Sequence, residues 1–540
     1  MRNILKKLFA PASASLSSKV LGDLPEWNLD DLFPGIDSDF LKNLLEHTDA
    51  QAKLLNTKYS GKIGNISASD LAKVIVEYEK IDESLARIMS YASLIYAADM
   101  SDQESGRFYQ SMQEKITDIA TQLLFFTLEI NKIDDPTMKK KLANNDLAKY
   151  EPWLRDIRAL RPHQLSDDME RLLLEKQVVG KSAWVRLFDE TMADLRFEVE
   201  LITGTKTYTS AEVFNLLSDK NNSIRKAAAI SIGKVLADNA RVFTLITNTL
   251  AKDKEVEDKW RHFKEPVSSR NLSNFVEDDV VHALVTSVKE RFPDLSHRYY
   301  ALKARWFGSD HLNYWDRNAP LPDNNEPIIP WHDAVDTVLE SYRRFSPKLA
   351  DIGKDFFDND WIDAPVRDGK SPGAFAHPTV PSVHPYLLLN YQGKTRDVMT
   401  LAHELGHGVH QVLAGSQGHL MSDTPLTLAE TASVFGEMLT FRKMLDDTSD
   451  VLKRRVMLAS KIEDMINTVV RQIAFFEFER RVHTQRSKGA LLTEEICDIW
   501  MEVQSESLGP AILLEDGYRH YWSYIPHFIH SPFYVYAYAF

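Results

Sequence analysis

Residues 403–407 read His403-Glu404-Leu405-Gly406-His407, an H-E-x-x-H pattern. On an α-helix, two histidines four positions apart stand one turn above each other on the same face, so both imidazoles can reach one metal ion. Tetrahedral Zn²⁺, about 2.0–2.1 Å from each nitrogen, suits this spacing, and Glu404 beside the first histidine is placed to act as a general base. One Zn²⁺ per chain is the expectation. Sites of this kind also accept Co²⁺ or Mn²⁺ in vitro, because affinity alone does not choose the metal.

The flanking residues predict the helix such a site needs. Val398, Leu401, Ala402, Leu405, Val409, Val412 and Leu413 recur at three- and four-residue steps, leaving one polar strip. Thr395 suits the N-cap, Asp397 the first turn, and Gly415 a left-handed residue ending the helix. His410 is the nearest further ligand in sequence, but a residue at i+7 lies about 10 Å along the axis from His403, too far to share one zinc. The longer metzincin motif requires Gly at 410 and His at 413, where this chain has His410 and Leu413. Glu430 is the better third ligand. It opens a second helical pattern that runs to about Asp446 on Leu428, Val434, Phe435, Met438, Leu439, Phe441 and Leu445. The stretch from Gly415 to Pro425 reads as a loop that returns the chain, so two antiparallel helices can set Glu430 opposite the histidines. Glu437 follows two turns later, placed to accept the N–H of a ligand imidazole.

These segments, His403-Glu404-Leu405-Gly406-His407-Gly408-Val409-His410 and Leu428-Ala429-Glu430-Thr431-Ala432-Ser433, resemble the oligoendopeptidase F branch of the thimet oligopeptidase superfamily. Gly373-Ala374-Phe375, Pro385-Tyr386-Leu387-Leu388-Leu389-Asn390-Tyr391, Leu24-Pro25-Glu26-Trp27-Asn28-Leu29 and Trp315-Asp316-Arg317 extend the similarity from about residue 24 to the end. The resemblance implies a zinc metallopeptidase with His403, His407 and Glu430 as ligands and Glu404 as the base that activates a zinc-bound water. It implies a mostly α-helical, two-lobed shell around a deep central cleft that admits short peptides, with a small β-sheet beside the zinc-binding helices. The family's C-terminal histidine and tyrosines map onto His527, Tyr534 and Tyr536, any of which could donate to the oxyanion of the tetrahedral intermediate. Phe533 stands where the related thimet enzymes carry a tyrosine. Members of the family continue for several helices beyond the position of Phe540, so the catalytic domain is expected to be short at its C-terminus.

Peptide binding also needs a backbone template. Tyr386 to Tyr391 is a short apolar run bounded by Pro385 and Gly393, which predicts a strand. As an edge strand, with Tyr386, Leu388 and Asn390 facing the substrate, it would bind an extended peptide through main-chain hydrogen bonds. Gly373 closes a loop, Gly369-Lys370-Ser371-Pro372-Gly373, that could approach a ligand closely. The function expected is hydrolysis of internal bonds in short oligopeptides. The alternative is a catalytically impaired peptide-binding protein that keeps the fold.

The remainder of the chain sets bounds. With 540 residues it is long enough for two or more lobes, and a 44% apolar, 26% charged composition is that of a globular protein. Helical periodicity runs through 66–100, 102–131, 211–252, 276–306, 331–356 and 450–488. A β-hairpin is expected at Leu195–Thr209, where Phe197-Glu198-Val199-Glu200-Leu201 alternates and Gly204 permits the turn. The lobe boundary is placed there: an extension over 1–22, an N-terminal helical lobe over 23–195 and a catalytic domain over 196–540. A formal net charge of −14 argues against nucleic acid as a partner. The single cysteine, Cys497, excludes an intrachain disulfide and suits a reducing, cytoplasmic setting. No run of apolar residues is long enough to span a membrane, and the oligomeric state is not legible.

Overall fold

Three long amphipathic helices, Asp39–Tyr59, Ala68–Ala98 and Gln103–Lys132, open the architecture of the computed structural model, which describes residues 20–321 and 328–540. The extension expected over 1–22 lies, up to residue 19, outside the described residues. Ser38, Ser67 and Asp102 cap the three helices by accepting amide hydrogens from their first turns. Their apolar faces meet in a core built on Leu55, Leu71, Ile75, Leu123 and Phe126, with a neighbouring cluster around Phe33, Ile88 and Tyr91.

The expected hairpin forms between β1 (Phe197–Leu201) and β2 (Gly204–Tyr208), with Gly204 at φ +114° in the turn. Behind it, the predicted helical stretch 211–252 divides into Ser210–Leu216, Asn222–Asp238 and Ala240–Trp260. Strand β3 (Leu312–Asn313) follows. The stretch 331–356 divides into Trp331–Phe345 and Pro347–Asp358. Proline disfavours helical backbone in the residue before it, and Ser346 is extended at φ −151°.

Three short strands, β4 (Ile362–Asp363), β5 (Phe375–His377) and β6 (Tyr386–Leu388), form a sheet of order β4-β6-β5 against the helix Thr395–Ala414. Strand β6 runs parallel to β4 and antiparallel to β5, so it is the central strand and not the edge strand its sequence suggested. Its Tyr386 and Leu388 are completely buried. Leu387 and Leu389 join Leu401, Ala402, Leu405 and Val409 of the adjacent helix in one core. A further strand, β7 (Ile512–Leu513), pairs in parallel with β3.

The largest core gathers Phe197, Phe243, Tyr300, Phe475, Trp500, Trp522, Phe533 and Tyr536, so the C-terminal aromatic segment packs on helices far away in sequence. The molecule is thus a predominantly helical shell with a few small sheets. Among the described residues no helix is long and apolar enough to cross a membrane.

Candidate metal centre and active site

Two helices frame the site: Thr395–Ala414, carrying His403, Glu404 and His407, and Leu426–Asp447, carrying Glu430 and Glu437. Thr395 is the first helical residue and not the cap; Asp397 closes the N-terminus by accepting the amides of Gln392 and Lys394 at 2.9 and 3.0 Å. Gly415 is right-handed at φ −53°, and the left-handed residue of the return loop is Gly418 at φ +89°. The two helices touch backbone to backbone. A Cβ on Gly406 would lie 2.7 Å from the Ala432 carbonyl oxygen, and one on Gly436 would lie 2.9 Å from the Ala402 carbonyl oxygen. The Tyr342 phenol braces the crossing by donating to Ala402 O at 2.6 Å.

That close approach brings His403, His407 and Glu430 together, with one ligand atom from each within 4.8 Å of the others. Glu430 Oε2 is 3.3 Å from His403 Nε2 and 3.6 Å from His407 Nε2. Two donors each about 2.0–2.1 Å from a tetrahedral zinc would stand roughly 3.3–3.4 Å apart, so the side chains fit that ion. Ser433 orients the carboxylate by donating to Glu430 Oε2 at 2.9 Å. Behind the site, Glu437 Oε2 faces His403 Nδ1 at 3.5 Å, and the other Glu437 oxygen accepts from the buried Lys461 ammonium. A carboxylate on the far imidazole nitrogen fixes the tautomer that leaves Nε2 free for a metal. His410 is not part of this group.

The electrostatics agree with the geometry. Burial opposes a charge on His403, but Glu430 and Glu437 outweigh it and lift the imidazole to about 10. Burial also works against ionising Glu430, yet hydrogen bonds from both histidines hold its carboxyl well below the usual carboxylate range. A cation set among these side chains is therefore favoured. Glu404 is 7% exposed, and burial pushes its carboxyl up, tempered by the two imidazoles and the Ala376 amide. A raised carboxylate pKa is what a proton acceptor that must later return its proton requires.

The aromatic segment arrives from the other side. Tyr534 Oη donates to Glu430 Oε1 at 3.4 Å. His527 stacks on the Tyr534 ring, with centroids 5.4 Å apart, and its Nε2 is 3.2 Å from Tyr538 Oη. Burial pushes Tyr534 up to about 12 and His527 down to about 4, so the phenol keeps its proton and the imidazole is neutral near pH 7. Burial, Tyr534 and the carboxylates of Glu430 and Glu404 together raise the Tyr538 phenol. Tyr536, expected at the site, is instead completely buried, and its hydroxyl accepts from Asn274 Nδ2 at 2.8 Å. The tyrosine that sequence reasoning missed is Tyr538. Tyr534 and Tyr536 follow from the resemblance to the family's tyrosines, whereas Val535–Ala539 winds as a 3₁₀ helix that puts Tyr534 and Tyr538 side by side, with ring centroids 5.0 Å apart.

The other expected substrate contacts sort differently. Tyr386 and Leu388 are core residues, and the Tyr386 hydroxyl donates to Asn28 O at 2.9 Å, so neither reaches a substrate. Asn390 holds the glycine loop, donating to Ser371 O at 3.1 Å and Gly373 O at 2.8 Å. Gly373 is left-handed at φ +87°, with open space where a Cβ would stand. The strand beside Glu404 is β5: among the described residues it pairs only with β6, its Ala376 amide faces Glu404, and Gln411 Nε2 donates to Ala376 O at 3.3 Å.

Comparison with known proteins extends the pattern over most of the chain. The chain is 28% identical over 524 residues to oligopeptidase PepF of Bacillus subtilis (strain 168), covering 95% of this chain and 76% of that protein. An oligoendopeptidase F homolog of Borreliella burgdorferi is 26% identical over 520 residues, covering 95% of this chain and 86% of that one. Among solved structures, oligoendopeptidase-F from Enterococcus faecium superposes with a TM-score of 0.72 at 22% identity, over 94% of this chain and 86% of that chain. The profile for "Oligopeptidase F" matches residues 129–197. Residues 215–540, which include the paired histidines, the facing glutamate and the tyrosine segment, match the profile for "Peptidase family M3"; the chain belongs to that family and is a metalloendopeptidase of the oligoendopeptidase F type.

Proposed function

We propose that the protein is a zinc-dependent endopeptidase that hydrolyses internal bonds of short oligopeptides, with His403, His407 and Glu430 holding the zinc and Glu404 as general base. Zinc bound there would supply a Lewis acid that polarises the scissile carbonyl and acidifies the attacking water. Glu404 takes the proton of that water and delivers it to the leaving amine, a double role its buried carboxyl suits. The phenols of Tyr534 and Tyr538 are the donors for the oxyanion as the carbonyl becomes tetrahedral, and the neutral His527 packs against both. Glu437, held by Lys461, keeps His403 in the tautomer that ligates.

The edge of β5 away from β6, where the Ala376 amide faces Glu404 and its carbonyl accepts from Gln411, is the template for an extended peptide once those side chains give way, in place of the buried β6, and open Gly373 leaves room at the loop before it. Main-chain pairing of this kind binds many sequences. In this reading residues 23–195 form the N-terminal lobe and 196–540 the catalytic part, working on short peptides in the cytoplasm.

The observation that carries the proposal is the meeting of two imidazoles and one carboxylate from two crossing helices, with Glu404 and two phenols beside them. The test is cleavage of a quenched fluorescent peptide by wild type and Glu404→Gln. Wild type should cut, and Glu404→Gln should keep its zinc while losing about 10²–10⁴ in kcat. Equal turnover by both would refute the assignment of the base.

A further inference from the structure

The peptide unit joining Pro532 to Phe533 is held at both of its polar atoms by side chains from distant helices. Arg270, in the helix Ser268–Ser273, donates from Nε to Pro532 O at 3.1 Å. Glu479, in the helix Gln472–Arg486, accepts the Phe533 amide at Oε1, 2.8 Å away. Phe533 itself sits at φ +61°, a left-handed conformation that a bulky L-residue rarely adopts. Its ring is completely buried against Phe476 and His483. The next residue is Tyr534, whose hydroxyl reaches Glu430.

We propose that Glu479 and Arg270 are positioning residues for the reaction: by clamping the Pro532–Phe533 peptide unit they enforce the left-handed turn at Phe533 that aims Tyr534 at the metal site. The proposal rests on the reading of Tyr534 as a donor.

Two unfavourable features meet at this one point. Glu479 is 2% exposed and its Oε2 has no partner, so an acid is buried with half its hydrogen-bonding capacity unused. A left-handed phenylalanine is the second. Strain and an unsatisfied buried polar atom are features that collect where a geometry is held for function. A third contact belongs to the same device. Asn274, just past the Arg270 helix, donates to Tyr536 Oη and accepts at its carbonyl from Thr427 Oγ1 at 3.1 Å, three residues before Glu430. The Arg270–Asn274 segment thus ties the tyrosine segment to the helix that carries the carboxylate ligand.

Burial pushes the Glu479 carboxyl up to about 8, with the Phe533 amide, Arg270 and Lys254 pulling the other way. Near pH 7 it is largely protonated, so glutamine is a close mimic that keeps the acceptor, whereas leucine removes it.

The experiment is a double-mutant cycle read as kcat and KM on a short peptide, with zinc content and circular dichroism measured on every variant. Glu479→Leu should lower kcat by roughly 10- to 100-fold, the scale expected when a reacting group is displaced by about 1 Å, with KM and zinc content little changed. Glu479→Gln should restore kcat. In a Tyr534→Phe background, Glu479→Leu should have almost no further effect, because the group it positions is gone. If Glu479→Leu does not fold, Arg270→Ala takes its place in the same cycle. Additive losses in the cycle, or a fall confined to KM, would overturn the clamp while leaving Tyr534 as a donor. A Tyr534→Phe enzyme with wild-type kcat would overturn the donor reading and the clamp with it.

Discussion

Gly406→Ala tests whether the metal site depends on how closely two backbones approach. The added Cβ would lie 2.7 Å from Ala432 O, 3.0 Å from Ser433 Cα and 3.3 Å from Ala432 C. All three are backbone atoms, so no side chain can swing aside, and comfortable contacts begin near about 3.5 Å. The helices must part by roughly 0.5–1 Å at the crossing. Overpacking of this kind costs about 1–3 kcal/mol, offset by about 0.5–1 kcal/mol from alanine's better helix propensity, which leaves about 0–2.5 kcal/mol of net destabilisation. The sharper effect falls on the metal. Glu430 Oε2 now stands 3.3 and 3.6 Å from the two imidazole nitrogens, and a site tolerates about 0.2 Å in its ligand distances. Parting the helices therefore moves Glu430 out of shared reach while leaving the histidine pair intact. Zinc affinity, measured by competition with a chromogenic chelator, should fall by about 10–100-fold, the scale seen when ligand orientation is lost. Gly415→Ala is the control: it follows the last residue of the same helix, away from the crossing, is right-handed, and its Cβ would find its nearest neighbour, Pro381 Cβ, at 3.6 Å. It should bind zinc as wild type does. Wild-type zinc affinity in Gly406→Ala, or an equal loss in Gly415→Ala, would refute the reasoning.

Tyr538→Phe should lower kcat by about 10²-fold, while Tyr536→Phe, which loses only the bond from Asn274 inside the core, should lower it far less; steady-state kinetics of the pair would decide, and the reverse pattern would return Tyr536 to the site. Glu479 should also show in the pH dependence of stability. Its folded pKa of about 8 lies above the ordinary glutamate value of 4.5, so between these values the folded state binds more protons than the unfolded one. Its contribution to stability is complete below about pH 4.5 and is lost as pH rises through about 8, with a slope of at most about 1.4 kcal/mol per pH unit. Urea denaturation across that range should show a flatter fall for Glu479→Gln than for wild type, and parallel curves would contradict the assignment.

The parts of the site written in local periodicity were legible from the residues. His403 and His407 announce themselves at i,i+4, and the apolar positions around them and around Glu430 predict both helices within a residue or two. What was not legible depends on who the neighbours are. Three apolar residues at Tyr386–Leu388 specify a strand but not whether it is paired on one side or both, and here β4 and β5 flank it. Gly406 reads as an ordinary filler between ligands, and only the facing Ala432 carbonyl explains it. Matching the family's tyrosines by position does not say which phenols share a face, and tertiary packing of Val535 and Tyr536 in the large core selects the turn that presents Tyr534 and Tyr538. The helical periodicity at 211–252 and 331–356 gives the type of these segments but not their breaks, which Pro347 and the turns near 217–221 introduce.

His403, His407 and Glu430 should hold one zinc beside Glu404. Anomalous diffraction recorded on both sides of the zinc absorption edge from crystals of the zinc-loaded protein tests it most directly. A single strong peak per chain is expected, bonded to Nε2 of both histidines and to a Glu430 oxygen, at about 2.0–2.2 Å. A peak bonded elsewhere, for example to His410, or one lacking the Glu430 oxygen, would contradict it.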